Sequence, residues 1–407
     1  MRRYTITVYS FIVILIAVGI YLAYMDKNKL FLSVSIESES VTASTSVTGT
    51  DVVRDLVRDY GGVSSKTLNQ AIVEAKNYFT QHSNSKFTIT IPAGTYSLSK
   101  TITLTDVHPG PEGRLIIAGA GKDSTILEQS PDAVGITGDR VYRVTIEGVH
   151  FTISSQTTTQ GHVVSVAPGL LVLDISPGFP TPLDVLDTAY SDVTGCEKVS
   201  AAAGGWGRYV KAWSDSTTDP HIDNPDQPQY SFCKPTPVPG IPNRWVFPLK
   251  EKKNMSPLPD YTPGTFISVK SKFMDSAYEF CGGDDFFFHD VRFTERSRGI
   301  WHCGFNHVHL DGVEIVRGAA INGQVPILSS PGGGPQIGEL GMPSMGHLIE
   351  NSTFVATGDD AIAFFDASGL VRTTTVRDSY GRVNLNKSPG VVIDPSTSIV
   401  RTRLVRQ

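Results

Sequence analysis

An excess of charge of one sign is what this chain most clearly lacks. Across 407 residues, 35 Lys and Arg face 40 Asp and Glu, a net charge of −5 with a pI near 6.1. That balance leaves no electrostatic footprint for nucleic acid and argues against such a partner. Cysteine is scarce, 4 in all, with no Cys-x-x-Cys pair and no Cys/His spacing of the kind that holds zinc. With 40 % apolar and 18 % charged residues, the composition of a disordered chain is absent too. Long apolar runs are missing, with one exception. From Tyr4 to Tyr24 the chain carries no charge and is mostly apolar, long enough to cross a bilayer core of about 30 Å as a helix.

Arg2 and Arg3 precede that run, and Asp26, Lys27 and Lys29 follow it with a net charge of +1. The difference favours the N-terminus inside and the bulk outside. A cleaved signal peptide has a shorter apolar core and a small-residue cleavage site; neither is evident, so an uncleaved anchor is the preferred reading. The expectation is a membrane-anchored protein with an extracytoplasmic domain, or a secreted one if the segment is removed. Oxidised cysteines suit that compartment: Cys196 with Cys233 and Cys281 with Cys303 are the expected pairs, the alternative being four separate buried thiols.

What the chain does have is glycine (38), proline (25) and short runs of Val, Ile, Thr and Phe, a composition that leans towards an all-β protein with many turns. Five segments follow. Residues 1–30 are the anchor or uncleaved signal, and 31–50 a Ser/Thr-rich tether. Residues 51–155 hold a capping helix and the first strands. Over 51–80 the pattern is helical, Leu68, Ile72 and Ala75 recurring at helix spacing with Ser64 or Ser65 as cap. Residues 156–275 break the pattern and read as an insertion subdomain, since a structureless loop of that length is rare in a compact domain. Residues 276–407 resume the strands.

The strands repeat. Ile146-Glu147-Gly148-Val149-His150-Phe151, Phe288-His289-Asp290-Val291-Arg292-Phe293, Leu310-Asp311-Gly312-Val313-Glu314-Ile315 and Ile349-Glu350-Asn351-Ser352-Thr353-Phe354 share one form, with Val376-Arg377-Asp378-Ser379-Tyr380 as a weaker fifth. The second and third copies lie 22 residues apart, and the later steps stretch to 39 and 27. A period in the low twenties, made of short strands and tight turns, predicts a β-solenoid. With the 22-residue step, Cys281 falls on the position of Cys303.

After the fourth copy comes Gly358-Asp359-Asp360, followed at once by an apolar strand. Adjacent like charges repel unless water, a cation or a shared proton relieves them. Three readings stay open: a carboxyl pair for acid/base chemistry, a solvated acidic turn, or a cation site. Gly283-Asp284-Asp285 repeats the tripeptide at a different corner of its coil and reads as a decoy. The 27-residue step carries Asn386 and Lys387 beside the pair, and the 39- and 22-residue steps bring Arg298 near, with Arg317 close by. These cations and polar groups would hold an anionic sugar or lower one aspartate's pKa, or form ordinary stacked salt bridges. Phe364, Phe365 and Trp301 offer a stacking platform for sugar rings, or else a core stack. His302, His307 and His309 form a cluster, His307 and His309 on one strand face; metal ligation would need a third ligand and hydrogen-bonded support around it, and polar residues on an outer face are the plainer account. Ser329–Gln336 reads as a flexible, lid-like loop on the Asp359 side.

Ile91-Pro92-Ala93-Gly94-Thr95-Tyr96-Ser97-Leu98 and Leu115-Ile116-Ile117-Ala118-Gly119-Ala120-Gly121-Lys122-Asp123-Ser124-Thr125-Ile126-Leu127 resemble the opening coils of the pectate-lyase-like, right-handed parallel β-helix superfamily. The resemblance covers about 51–155 and 276–400 and implies a right-handed parallel β-helix with a capping helix, here behind a transmembrane helix. Gly358-Asp359-Asp360 is similar to the acidic motif of polygalacturonase-type glycoside hydrolases and to the paired aspartates of β-helical α-galactosidases. The likeness implies inverting hydrolysis of a polysaccharide or oligosaccharide, with Asp360 as acid and Asp359 as water-activating base, or the reverse. No Asn-Thr-Asp, Gly-His-Gly or Arg-Ile-Lys motif accompanies it, so roles that depend on those motifs are not carried over. No cofactor is expected for a hydrolase. A polysaccharide lyase of the same fold would use Ca2+, and a non-catalytic carbohydrate-binding protein is the third reading.

Overall fold

The computed structural model describes residues 50–130, 135–154, 156, 158–184, 208–212, 231–232, 234–250, 261–270, 278–294, 299–330, 332–379 and 382–406. The expected anchor, residues 31–49 of the expected tether, Arg298, and the Cys196/Cys233 pair lie outside them. Among the described residues no helix is long and apolar enough to cross a membrane.

The chain is mostly β, and most of it stacks as parallel strands. One 14-stranded sheet and one 8-stranded sheet face each other across a shared core. Alternation explains the burial. In Lys86–Ile91, Phe87, Ile89 and Ile91 point inward, and Leu115, Ile117, Val144, Ile146, Phe286, Phe288, Val308 and Leu310 continue the interior on later strands. Like residues lie over like: Phe151 and Phe293 stack at 5.4 Å and 17°. No coil buries its apolar side alone, and stacking supplies the missing half.

The segment 51–80 is only partly helical. Val52–Asp55 is a strand paired with Lys86–Ile91. A short helix, Leu56–Tyr60, follows, capped by Asp55 and ended at Gly61 with φ 80°. The long helix is Ser65–Phe79, with Ser64 as N-cap and Thr67 completing a capping box. It buries Leu68, Ile72 and Ala75 against the first coils. The N-terminal Val-Val pair suits an extended edge better than a helix.

The first four repeat copies turn at their third residue, Gly148, Asp290, Gly312 and Asn351, and the next coil turns at Thr373; all five have φ between 46° and 65°. Glycine, Asn and Asp tolerate that left-handed corner best, which is why they recur there. Glu147 pairs with His289, His289 with Asp311, and Asp311 with Glu350, so copies one to four align as read. The fifth does not. Phe354 lies opposite Val376, and Glu350 meets Arg372, 22 residues on, so the 27-residue step is a misalignment by five.

The strand Ile300–Asp311 marks a fork. Its first half pairs with Gln336–Gly338 and its second with Ser344–Glu350. Beyond it the sheet runs as two branches, one through Ile362–Phe365, Arg382–Asn386 and Arg403–Arg406, the other through Ala367–Arg372 and Val391–Ile393.

Between Ile153 and Tyr278 the chain leaves the stack. The described part of that excursion forms a 7-stranded antiparallel sheet with its own core of Leu171, Leu173, Trp245, Phe247, Ile267 and Val269.

Candidate active site

Thr353–Val355 ends in Ala356, φ 59°, and the chain turns through Thr357–Ala361 before Ile362–Phe365 begins. Two bonds fix the turn. Thr357 Oγ1 donates to the Asp359 carbonyl at 2.8 Å, and the Asp360 N–H donates to Asp359 Oδ1 at 3.0 Å. Asp359 and Asp360 thereby face a cleft of about 340 Å³, lined also by Gly299, Ile300, Trp301, Gly332–Gln336 and Ala363.

The opposite wall is backbone. The Gly358 N–H donates to the Ser330 carbonyl at 2.7 Å, and the Gly334 N–H to the Asp360 carbonyl at 2.9 Å. Three rungs approach so closely here that a Cβ on Gly299 would stand 1.8 Å from the Gly334 oxygen, and one on Gly334 2.0 Å from the Ala361 oxygen. Only glycine fits. Ser329, Ser330 and Gly334 are therefore hydrogen-bonded along the acidic turn, in place of the loose lid expected from the composition of 329–336.

The Asp360 carboxyl is largely enclosed, its side chain 21 % exposed. Asn384 Nδ2 donates to its Oδ2 at 2.7 Å, and Arg382 Nε lies 3.4 Å from Oδ1. Burial pushes the Asp360 pKa above the ordinary carboxyl value, and the neighbouring Asp359 charge adds to this. Asn384 and Arg382 pull the other way without cancelling it. The indole Nε1 of Trp301 is buried without a hydrogen-bond partner.

Other residues singled out in the sequence lie elsewhere. Asn386 stands opposite Phe365, and its carbonyl accepts from the Asp366 N–H at 3.2 Å. Lys387 is a left-handed corner residue one coil after Asp366, with φ 48° and 46° respectively. Neither lies beside the acidic turn, because the coil is 21–22 residues long there and 27 overshoots. One coil past Asp360 lies Arg382, which the 22-residue step of the earlier coils would have found; Asn384, opposite Ala363, follows two residues later. Phe364 is 0 % exposed, pointing inward between Ile337 and Leu385. It is core, not a sugar platform; Trp301 is the aromatic residue on the cleft. Arg317 Nε donates to the Ile327 carbonyl at 3.0 Å and does not line the cleft.

The decoy tripeptide is spent on ion pairs, Asp284 with His307 at 2.6 Å and Asp285 with Arg114. The histidines disperse. His302 is in the core, stacked on Phe280 at 5.1 Å, while His309 pairs with Glu350 at 2.8 Å. Among the described residues no three His, Cys, Asp or Glu side chains gather as a metal site. His347 Nδ1 accepts from the Val308 N–H at 3.2 Å, so its ring proton sits on Nε2, which faces Ser344 Oγ at 3.0 Å. Ser344 therefore has no base. A disulfide joins Cys281 and Cys303 on neighbouring strands, with Cα atoms 4.6 Å apart.

No protein-family model and no curated protein matches the chain. Solved structures similar to it include carbohydrate-active enzymes. The Agl-KA catalytic domain is 11 % identical over 86 % of this chain and 48 % of that one, with a TM-score of 0.38, so the chain spans about half its length. A glycoside hydrolase is 8 % identical over 87 % and 96 %, TM-score 0.31. A pectin methylesterase in complex with a hexasaccharide is 12 % identical over 88 % and 93 %, TM-score 0.25. Likeness this loose assigns neither a reaction nor a residue to this chain.

Proposed function

We propose that the chain is a right-handed parallel β-helix that hydrolyses glycosidic bonds with inversion, the Gly358-Asp359-Asp360 cleft being its active site. The observation that carries this reading is a largely enclosed Asp360 carboxyl beside a second carboxyl on one cleft. Asp360 is enclosed and held towards its protonated form, as a general acid at a leaving oxygen must be. Asp359, on the same cleft, is the carboxylate that activates water from the opposite side. Trp301 supplies a flat apolar face for a sugar ring. The reaction needs no cofactor, and the substrate is a polysaccharide or oligosaccharide met outside the cytoplasm, the Tyr4–Tyr24 segment serving as membrane anchor.

Reducing-end release from a polysaccharide panel tests it, with Asp359→Asn and Asp360→Asn made separately. Each is expected to lose about 10²- to 10⁴-fold in kcat, and product anomers read by NMR should be inverted. Full turnover in both variants overturns the paired-aspartate mechanism and leaves a binding protein. One observation favours a second reading: Arg382 stands beside Asp360, as a base for a lyase would. Unsaturated products absorbing in the ultraviolet, and their loss in chelator, would identify that case.

A further inference from the structure

Between the strands Glu314–Ile315 and Gln336–Gly338 the coil runs without a regular strand, yet Ile327, Leu328, Ser329 and Ser330 are buried. Buried peptide groups need partners; Ser329 and Ser330 find theirs on the backbone of Ala356 and Gly358, and the Ile327 carbonyl on Arg317. For the Val325 carbonyl and the Ile327 N–H, a side chain from the insertion is the partner. Gln160, on Thr158–Ala167 of the antiparallel sheet, is 0 % exposed. Its Oε1 accepts from the Ile327 N–H at 2.8 Å, and its Nε2 donates to the Val325 carbonyl at 3.2 Å. The primary amide thus serves an N–H and a C=O two residues apart, as the peptide of a neighbouring strand would.

From that anchor the hydrogen bonds run straight to the acidic turn. The Ser329 N–H donates to the Ala356 carbonyl at 3.0 Å, and Ser329 Oγ to the Val355 carbonyl at 2.5 Å. Ser330 then takes the Gly358 N–H, and Gly334 bonds the Asp360 carbonyl. We propose that Gln160 is a positioning residue of the active site: it welds the insertion sheet to the 325–335 wall and so sets where Asp359 and Asp360 stand. This rests on the hydrolase reading. It gives the insertion a task, and predicts that disturbing this sheet alters turnover at the neighbouring acids.

Two substitutions test it in the full-length protein. Gln160→Leu removes both bonds at similar size. Gln160→Glu keeps an acceptor for Ile327 but can donate to Val325 only when the introduced carboxyl is protonated. The expected result for Gln160→Leu is a fall in kcat of about 10- to 100-fold, the usual cost of misplacing a reacting group by about 1 Å. KM should change little, and deuterium uptake should rise at 326–336 and at 357–361. For Gln160→Glu the deficit relative to wild type should shrink as the pH is lowered, because the acid form restores the second bond; a merely structural residue would show no such recovery. Unchanged uptake at 357–361 overturns the proposal, as does raised uptake with unchanged kcat. If the unaltered protein cleaves no polysaccharide, the hydrolase reading falls on its own, and uptake at 357–361 still decides whether Gln160 holds the wall. Should Gln160→Leu not fold, the pH recovery of Gln160→Glu carries the decision.

Discussion

Asn384 Nδ2 donates to Asp360 Oδ2 across 2.7 Å, from one coil further along the stack. That bond favours the charged carboxylate, as does Arg382, yet burial outweighs both. Removing the donor with Asn384→Leu should raise the Asp360 pKa further. A general acid works only while protonated, so the alkaline limb of the kcat/KM profile moves to higher pH. Arg382→Gln should move it the same way. A pH–rate series on the three proteins checks this, and a limb that stays put removes Asp360 from the acid role.

The same burial has a consequence for stability. The folded pKa of Asp360 lies above its unfolded value, so its stabilising contribution is complete below the unfolded pKa and is lost as pH rises through the folded one. Above that folded pKa the ionised carboxyl is therefore a liability. Asp360→Asn should be more stable than wild type there, within the usual range of point substitutions, about 0.5–3 kcal/mol, while losing activity. The advantage should vanish below the ordinary carboxyl pKa. Thermal midpoints at acidic and neutral pH measure it.

His302 behaves oppositely. It is buried among Phe280, Phe286, Phe288 and Phe305, with both ring nitrogens unpartnered. Desolvation, then the charge of His347, pushes its pKa down to about 3. His347 itself is lowered to about 4, by burial and then by His307. Their stability is present above the ordinary imidazole pKa and is lost as pH falls from there towards the folded values. His302→Phe should therefore resist acid better than wild type between about pH 6 and 3. It should also gain up to about 1–3 kcal/mol at neutral pH by removing unmade hydrogen bonds, provided the larger ring fits. Denaturant midpoints across that range test it.

Gly334→Ala puts a Cβ 2.0 Å from the Ala361 carbonyl oxygen. The rung must move, and the Gly334-to-Asp360 bond moves with it. Loss of about 10-fold or more in kcat is expected, with a lowered melting temperature. Gly323→Ala is the contrast: its φ of 79° makes alanine strained, but nothing lies within 4 Å of the added carbon, so only stability should fall.

The winding was legible because its corners are. Four of five repeat copies place Gly, Asp or Asn where φ is positive, and those residue types mark the position in the sequence. The fifth corner is Thr373, φ 46°, a β-branched residue that almost never sits there. The true copy, Val371-Arg372-Thr373-Thr374-Thr375-Val376, was thereby disguised, and the neighbourhood of Asp359 and Asp360 was drawn five residues late. Arg382 escapes the sequence pattern for that reason, and Asn384 two residues beyond it goes with it. Phe364 was misjudged for another. Strand alternation separates inward from outward faces, but Ala361, Ile362, Ala363 and Phe364 are all buried, so no polar residue betrays the outer face. Gln160 carried no local signal at all, since its partners lie 165 and 167 residues away.

Ile136–Glu147 and Tyr278–His289 are immediate neighbours in the parallel sheet, although the whole antiparallel excursion separates them in the chain. Closing that gap is the step with the largest entropic toll during folding, though the toll grows only with the logarithm of the intervening length. The N-terminal coils and the C-terminal coils are thus free to condense as two separate nuclei, each rich in near-neighbour contacts, and to dock afterwards at this one seam.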